Sequence, residues 1–393
     1  MAGLTEQRGP DPRDTFWTWR QLMFRFLEQL TPDDIESIAA FVQMQMLEAG
    51  YACNVEFHYL HHGPGGRPYD DLAETSARIA AAAARTGIGL TLLPVLYQVG
   101  GCDGRALVPG QDRFGNDPER FARLFEGAGA ALAALSPDTV LGVAPHSLRA
   151  VTPQGLEACR TMHPQGPIHM HLAEQKAEVE EVRAHLGARP VEWVLDRVGP
   201  DARWCFIHCT QMEPHETIGL ARSGAVAGLC PLTEASLGDG IFDAVRWLGA
   251  GGRFGFGSDS NIRISLSEEA RALEHSQRLR DHSRAALASP SQSTGRVLLQ
   301  GAAAGGAQAA GRKAGAIAVG RLADLVALSS DALDLEGRRG DLLLDCWVFA
   351  ADDRVISDVW SAGRHVVQDG RHPQHETITR AYRATIARLK AAV

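Results

Sequence analysis

His169-Met170-His171 is followed three residues later by Glu174, so two imidazoles and a carboxylate crowd one short stretch of chain. Side chains alternate across a strand, and both imidazoles of a His-x-His at a strand end therefore share a face. One of them could ligate a metal, although buried imidazoles paired with backbone carbonyls would explain the pair as well. His208 closes the run Trp204-Cys205-Phe206-Ile207, surroundings too apolar for an idle polar side chain. Asp259 stands in Gly255-Phe256-Gly257-Ser258-Asp259-Ser260, where glycines let backbone approach closely. Alone, that aspartate reads as a loop residue capping a helix. Together, imidazoles and carboxylates on three strand ends share one explanation, a water activated by a bound metal.

Such residues meet only if a scaffold gathers the ends of separate strands. The pattern predicts a helix over 31–50, opened by Thr31-Pro32-Asp33-Asp34 and stopped by Gly50, and then a strand over Tyr51 to Tyr59. The alternation repeats. Helix 71–86 precedes strand Ile88 to Tyr97, helix 118–135 precedes strand Thr139 to Pro145, and helix 153–162 precedes strand Pro167 to Leu172. Helices over 176–198 precede strand Arg203 to His208, helix 214–222 precedes Ala225 to Leu229, and helix 240–249 precedes Arg253 to Gly257. Seven buried-type strands, each preceded by a helix, favour a parallel sheet covered on both faces. Either an open doubly wound sheet or an α/β (β/α)8 barrel without its first strand has this count. His146, His171, His208 and Asp259 at four strand ends favour the barrel, which places its chemistry there.

Past about Gly311 the character changes. Residues 315–326 and 355–367 alternate like short antiparallel strands of a small β-sandwich, and Leu342 to Ala350 and a helix over 376–390 are expected to return to the barrel wall. The Gly/Ala-rich stretch 301–312 marks the expected boundary between a barrel over 1–312 and a C-terminal segment over 313–393.

Composition narrows the function classes. The 393 residues are 45% hydrophobic and 22% charged, which excludes global disorder. A net charge of −8 without any basic block argues against nucleic acid and anionic membranes as partners. The longest near-apolar run, Ile79 to Ala84, falls far short of the roughly 20 residues that span a bilayer. The first twenty residues are polar and mixed in charge, so neither a transmembrane segment nor a signal peptide is expected. Seven scattered cysteines, an odd count, point to a reduced, cytoplasmic setting. The fifteen histidines are the one compositional hint of metal or acid-base chemistry.

Pro167-x-His169-x-His171-x-x-Glu174, a strand-end His208, Gly257-Ser258-Asp259 and the run Gly320-Arg321-Leu322-Ala323-Asp324-Leu325-Val326 resemble the amidohydrolase superfamily. Within it, the match narrows to the formiminoglutamate deiminases of histidine degradation. That narrower resemblance adds Trp17-Thr18-Trp19-Arg20, Phe57-His58-Tyr59-Leu60-His61-His62, Ala144-Pro145-His146-Ser147-Leu148-Arg149 and Thr233-Glu234-Ala235-Ser236-Leu237-Gly238-Asp239-Gly240, and it covers nearly the whole chain. It implies one zinc ion per subunit with His171 and Asp259 as ligands, His208 at the reaction centre and Glu174 as proton shuttle. It also implies Arg20, Tyr59, His146 and Arg149 as the pocket for a small molecule with two carboxylates, which guanidinium forks and hydroxyl donors suit. His169 becomes a supporting residue, and His61 and His62 are expected in a loop. A homodimer is the superfamily's common assembly.

One departure stands out. Members of this type carry a His-x-His on the first barrel strand, and here no histidine precedes His58. The resemblance therefore implies that the first strand, two zinc ligands, the N-terminal half of the sandwich and a polar substrate contact are missing. Two expectations follow: a true start lying upstream, or a degenerate relative that cannot bind zinc normally. In both, the chain as given is expected to be nearly inactive unless a replacement ligand such as His58 serves. The expected reaction is hydrolysis of the formimino C=N of N-formimino-L-glutamate. The alternatives are a superfamily deaminase acting on a purine, pterin or triazine ring, and a non-catalytic barrel that binds a dicarboxylate.

Overall fold

Thr31 and Asp34 close the start of helix α1 (Pro32–Glu48) on each other: the Thr31 backbone N–H donates to the Asp34 carboxylate at 2.8 Å, and the Asp34 N–H to the Thr31 hydroxyl at 3.3 Å. This reciprocal cap satisfies donors that a helix start leaves without partners. The structure is a computed structural model in which residues 23–392 are described. They divide into two compact units, one of residues up to 45, 53–169 and from 372 onward, the other of residues 46–52 and 170–371.

In the first unit, strand β1 (Cys53–His58) runs parallel to β2 (Gly89–Leu96), with Cys53 opposite Gly89 and His58 opposite Pro94. Helix α2 (Glu74–Thr86) connects them and stops at Gly87, whose φ of +73° suits the left-handed cap. Every residue of β2 is buried, as expected of a strand covered on both faces. Helix α3 (Pro118–Leu132), capped by Asp117, leads to a strand that the sequence predicts as continuous over 139–145. It is instead split into β3 (Val140–Leu141) and β4 (Ala144–Pro145), both paired parallel to β2. Gly142 sits at the break, where a Cβ would stand 2.5 Å from the Leu93 side chain and 2.6 Å from the Pro167 carbonyl oxygen. Helix α4 (Pro153–Met162), capped by the Thr152 hydroxyl, matches its predicted range.

The second unit holds the parallel strands β5 (Ile168–Leu172, its last three residues), β6 (Trp204–His208), β7 (Val226–Leu229) and β8 (Arg253–Phe256), side by side in chain order. Helices α5 (Lys176–Leu186) and α6 (Pro190–Arg197) separate β5 from β6, and α7 (Pro214–Arg222) separates β6 from β7. Helices α8 (Pro231–Leu237) and α9 (Ala244–Gly249) lead to β8, and α10 (Leu266–Asp281) and α11 (Thr294–Ala309) follow it. Much of the Gly/Ala-rich stretch is the second half of α11. A Cβ on Gly305 would lie 2.0 Å from the Phe254 carbonyl oxygen, so only glycine lets α11 approach β8 this closely.

Strands β9 (Leu325–Leu328), β10 (Ile356–Ser361) and β11 (Arg364–Val367) form an antiparallel sheet in the order β11-β10-β9. Residues 315–324, predicted as strand, form turns instead, with Gly315 and Gly320 both at φ +82°. Asp324 takes both oxygens to the buried Arg312 guanidinium at 3.3 Å and accepts the Ala362 N–H at 2.7 Å. Helix α12 (Asp341–Phe349) packs on α10 and α11 in this unit. Helix α13 (His375–Ala392) belongs to the first unit, where Tyr382 stacks on Phe41 of α1 with ring centroids 3.9 Å apart.

Candidate active site

Each strand of the second unit that carries a candidate residue ends in backbone that ordinary L-residues avoid. Ala173 (φ +52°), His208 (+69°), Cys209 (+53°) and Asp259 (+44°) all lie in the left-handed region. Such conformations cost of order 1–3 kcal/mol each and persist where surrounding contacts over-determine them. Those contacts are present. The Glu178 carboxylate accepts the N–H groups of Ala173 and Glu174 at 3.2 and 3.0 Å, while the Thr210 hydroxyl donates to the Glu174 carbonyl at 2.7 Å. The Cys209 N–H donates to the Leu172 carbonyl at 3.1 Å, tying the end of β6 to that of β5.

This geometry gathers His171, His208 and Asp259, whose ligand atoms all lie within 4.8 Å of one another. Their burial grades from His208, fully enclosed, through the half-buried His171 to an exposed Asp259. Two imidazoles and a carboxylate are the donor types that a metal such as zinc takes as nitrogen and oxygen ligands. His169, two positions before His171 on β5, is buried and outside this group.

Glu174, 4% exposed, places Oε1 3.8 Å from Nε2 of His208, and Oε1 of Glu234 lies 3.3 Å from Nδ1 on the other side of the ring. Burial alone would lower the His208 pKa, but the carboxylates of Glu174, Glu234 and Asp259 outweigh it and push the value up to about 10. Asp239 shows the complementary effect. Burial, with Glu174, Glu234 and Asp259 nearby and the His208 charge opposing them, raises its carboxyl to about 8.

In the first unit, the rings of Tyr59 and His146 meet edge to face at 6.0 Å, and His146 also meets Tyr97 at 4.7 Å and Phe57 at 5.8 Å. Arg149 is 9% exposed, in the turn that follows His146. His61 and His62 occupy a loop as predicted, yet both are fully buried, with Nε2 of His61 on the Val95 carbonyl at 2.9 Å and Nε2 of His62 on the Gly115 carbonyl at 3.0 Å. His58 is engaged with the Thr75 hydroxyl at 2.9 Å and is not part of the His171, His208 and Asp259 group. Arg20 and the rest of Trp17 to Arg20 lie outside the described residues. Sequence reasoning assigned no role to Glu234 or Asp239. Both sit in the segment 233–240 just past the end of β7, and that position after a strand end was the available signal.

Parallel strands with helices between them, and a metal-binding donor set on their C-terminal ends, define a hydrolase of the metal-dependent barrel class. The chain matches the Amidohydrolase family over residues 4–366 and belongs to it. It is 48% identical over 391 residues to the formimidoylglutamate deiminase of Pseudomonas aeruginosa, covering 99% of this chain and 86% of that one. The 5-methylthioadenosine/S-adenosylhomocysteine deaminase of Natronomonas pharaonis is 27% identical over 310 residues, 77% of this chain and 64% of that protein. The crystal structure of an amidohydrolase from Brucella melitensis matches with a TM-score of 0.95 at 48% identity, over 99% of this chain and 86% of that one. An adenosine deaminase from Xanthomonas campestris with bound zinc shares the fold, with a TM-score of 0.79 at 21% identity over 99% of this chain and 83% of that one. The expected (β/α)8 barrel class is thus the fold of this family.

Proposed function

We propose that this protein is the enzyme that hydrolyses the formimino C=N of N-formimino-L-glutamate to N-formyl-L-glutamate and ammonia, a step of histidine catabolism. The observation that carries this reading is the 48% identity with a formimidoylglutamate deiminase over 99% of the chain. His171 and Asp259 would hold one zinc ion per subunit, with His208 next to them at the reaction centre. When bound, zinc supplies Lewis-acid polarisation and lowers the pKa of water to about 7.

The chain's own residues account for the remaining steps. As the water oxygen bonds to the amidine carbon, Glu174 takes a proton from it at a carboxylate oxygen. Glu174 passes that proton to the nitrogen as the C=N π bond opens, giving an amino group. A second transfer, of the remaining hydroxyl proton through Glu174 to the same nitrogen, accompanies C–N cleavage, so that the carbonyl forms and ammonia leaves. Nε2 of His208, buried and 3.8 Å from Glu174, orients the reacting oxygen or nitrogen. Arg149, Arg20, Tyr59 and His146 are assigned to the two carboxylates, since guanidinium groups pair with carboxylates in charge-assisted, bidentate fashion. A dimeric, cytoplasmic enzyme organised as a barrel over 1–312 and a C-terminal segment over 313–393 completes the reading.

The test is ammonia release from N-formimino-L-glutamate by the purified, zinc-supplied protein, with N-formyl-L-glutamate identified by mass spectrometry. Release of both products supports the reading. Turnover of a purine, pterin or triazine in its place overturns it.

A further inference from the structure

Residues 233–240 take no part in the reaction proposed above, yet three of their side chains each grip a strand end that carries chemistry. The Thr233 hydroxyl donates to the Ser258 carbonyl at 3.0 Å and lies 2.9 Å from the Ser260 hydroxyl, so it holds both neighbours of Asp259. Oε1 of Glu234 lies 3.3 Å from Nδ1 of His208 and is itself fixed by the Cys230 N–H at 2.9 Å. Oδ1 of Asp239 accepts from Nε2 of Gln175, the residue after Glu174. All three side chains are buried, with exposures of 0% for Thr233, 4% for Glu234 and 2% for Asp239.

The backbone explains how so short a segment reaches three strand ends. Helix α8 stops at Gly238, whose φ of +70° lets its N–H return to the Glu234 carbonyl, and the turn brings the Asp239 N–H onto the same oxygen at 2.9 Å. Gly240, at φ +124°, leaves room for Gln211, whose Nε2 would stand 2.8 Å from a Cβ at that position and donates to the Asp239 carbonyl.

We propose that Thr233, Glu234 and Asp239 are positioning residues that set Asp259, His208 and Glu174 relative to one another, with Glu234 holding the Nδ1 hydrogen of His208 so that Nε2 is the nitrogen presented to Glu174. Whichever charge the ring carries, a carboxylate at Nδ1 keeps a hydrogen on that nitrogen, and the partner of one nitrogen decides what the other offers. Nε2 is buried and has no hydrogen-bond partner among the described residues, which fits a nitrogen kept for a reacting group. The kinetic part of this inference rests on the deiminase reading; the placement of the hydrogen does not.

Glu234→Leu removes the acceptor, and Glu234→Gln keeps an oxygen in the same place. The expected result for the leucine variant is a kcat about ten- to hundredfold lower with KM and bound zinc per chain unchanged. Its 15N imidazole spectrum, read without substrate across a pH series, should lose the Nδ1–H signal that the parent keeps after His208 gives up its Nε2 proton, and show a mixture of tautomers instead. Glu234→Gln should retain the Nδ1–H signature and recover most of the lost kcat, and it carries the test if the leucine variant does not fold. A leucine variant with the parental imidazole spectrum, or a glutamine variant that loses the signature, overturns the proposal. If the unsubstituted protein releases no ammonia, the deiminase reading fails instead, while the imidazole spectra still decide the placement of the hydrogen.

Discussion

Oε1 of Glu174 stands 3.8 Å from Nε2 of His208, two buried groups on neighbouring strand ends facing each other. The separation exceeds a hydrogen bond. It arises because Glu178 fixes the backbone of residues 173–174 while His208 adopts a left-handed φ of +69°. A carboxylate beside the reaction centre can take up a proton and return it. Glu174→Gln keeps the volume and removes that capacity, so kcat should fall by about 10²- to 10⁴-fold, the range of a general acid-base contribution. Zinc content should be unchanged. Steady-state kinetics with metal analysis of the same preparation check both statements, and a fall in zinc alongside kcat would reassign Glu174 to metal binding.

Metal retention should separate the two proposed ligands, His171 and Asp259, from their buried neighbour. His171→Ala and Asp259→Ala should each lower bound zinc after dialysis, and chelation of the parent should abolish ammonia release until zinc is restored. His169→Gln lies outside the group and should keep its zinc. Zinc per chain measured by elemental analysis decides it, and equal loss from His169→Gln would place that imidazole among the ligands.

Arg149 is the described residue proposed above as a carboxylate clamp. A charge-assisted pair is worth about 1.5 to 3 kcal/mol, so Arg149→Ala should lower kcat/KM by roughly ten- to hundredfold. Zinc binding should persist. An analogue lacking one carboxylate should be turned over almost equally by parent and variant; a full loss on that analogue as well would remove the clamp role.

Much of this architecture was legible because local chemistry and tertiary structure agree. Helices over 153–162 and 214–222 start where predicted, each with Pro at its first position, and the first has a Thr152 cap. The strand ends bearing His171 and His208 were readable because an apolar run stops at a polar residue. What was hidden depends on distant partners. The break at Gly142 is set by Leu93 and Pro167, and the turn over 315–324 by Arg312 and Asp324, pairings that no local pattern announces. The same holds for His61 and His62, whose carbonyl partners at Val95 and Gly115 lie 34 and 53 residues away. Glu234 was visible as part of a motif, but its work on His208 needed the fold.

The buried histidines of the first unit should govern acid stability. His58 is fully enclosed, and burial lowers its pKa from 6.5 to about 4; His61 and His62 are lowered as well, also by burial first. In the unfolded chain these rings take up protons near pH 6.5, whereas the folded chain keeps them neutral. Between those values the unfolded state binds more protons, so stability rises with pH and is lost as pH falls from about 6.5 towards 4. For His58 alone that shift corresponds to about 3 kcal/mol, at roughly 1.4 kcal/mol per pKa unit. His58→Gln removes one titrating group and leaves an amide that can meet the Thr75 hydroxyl in place of Nε2. Urea unfolding at a series of pH values should show a shallower acid slope for the variant than for the parent, the variant gaining on the parent as pH falls from about 6.5 towards 4. Identical slopes would mean that His58 is already protonated in the folded protein, and its place beside Thr75 would then need a charged partner.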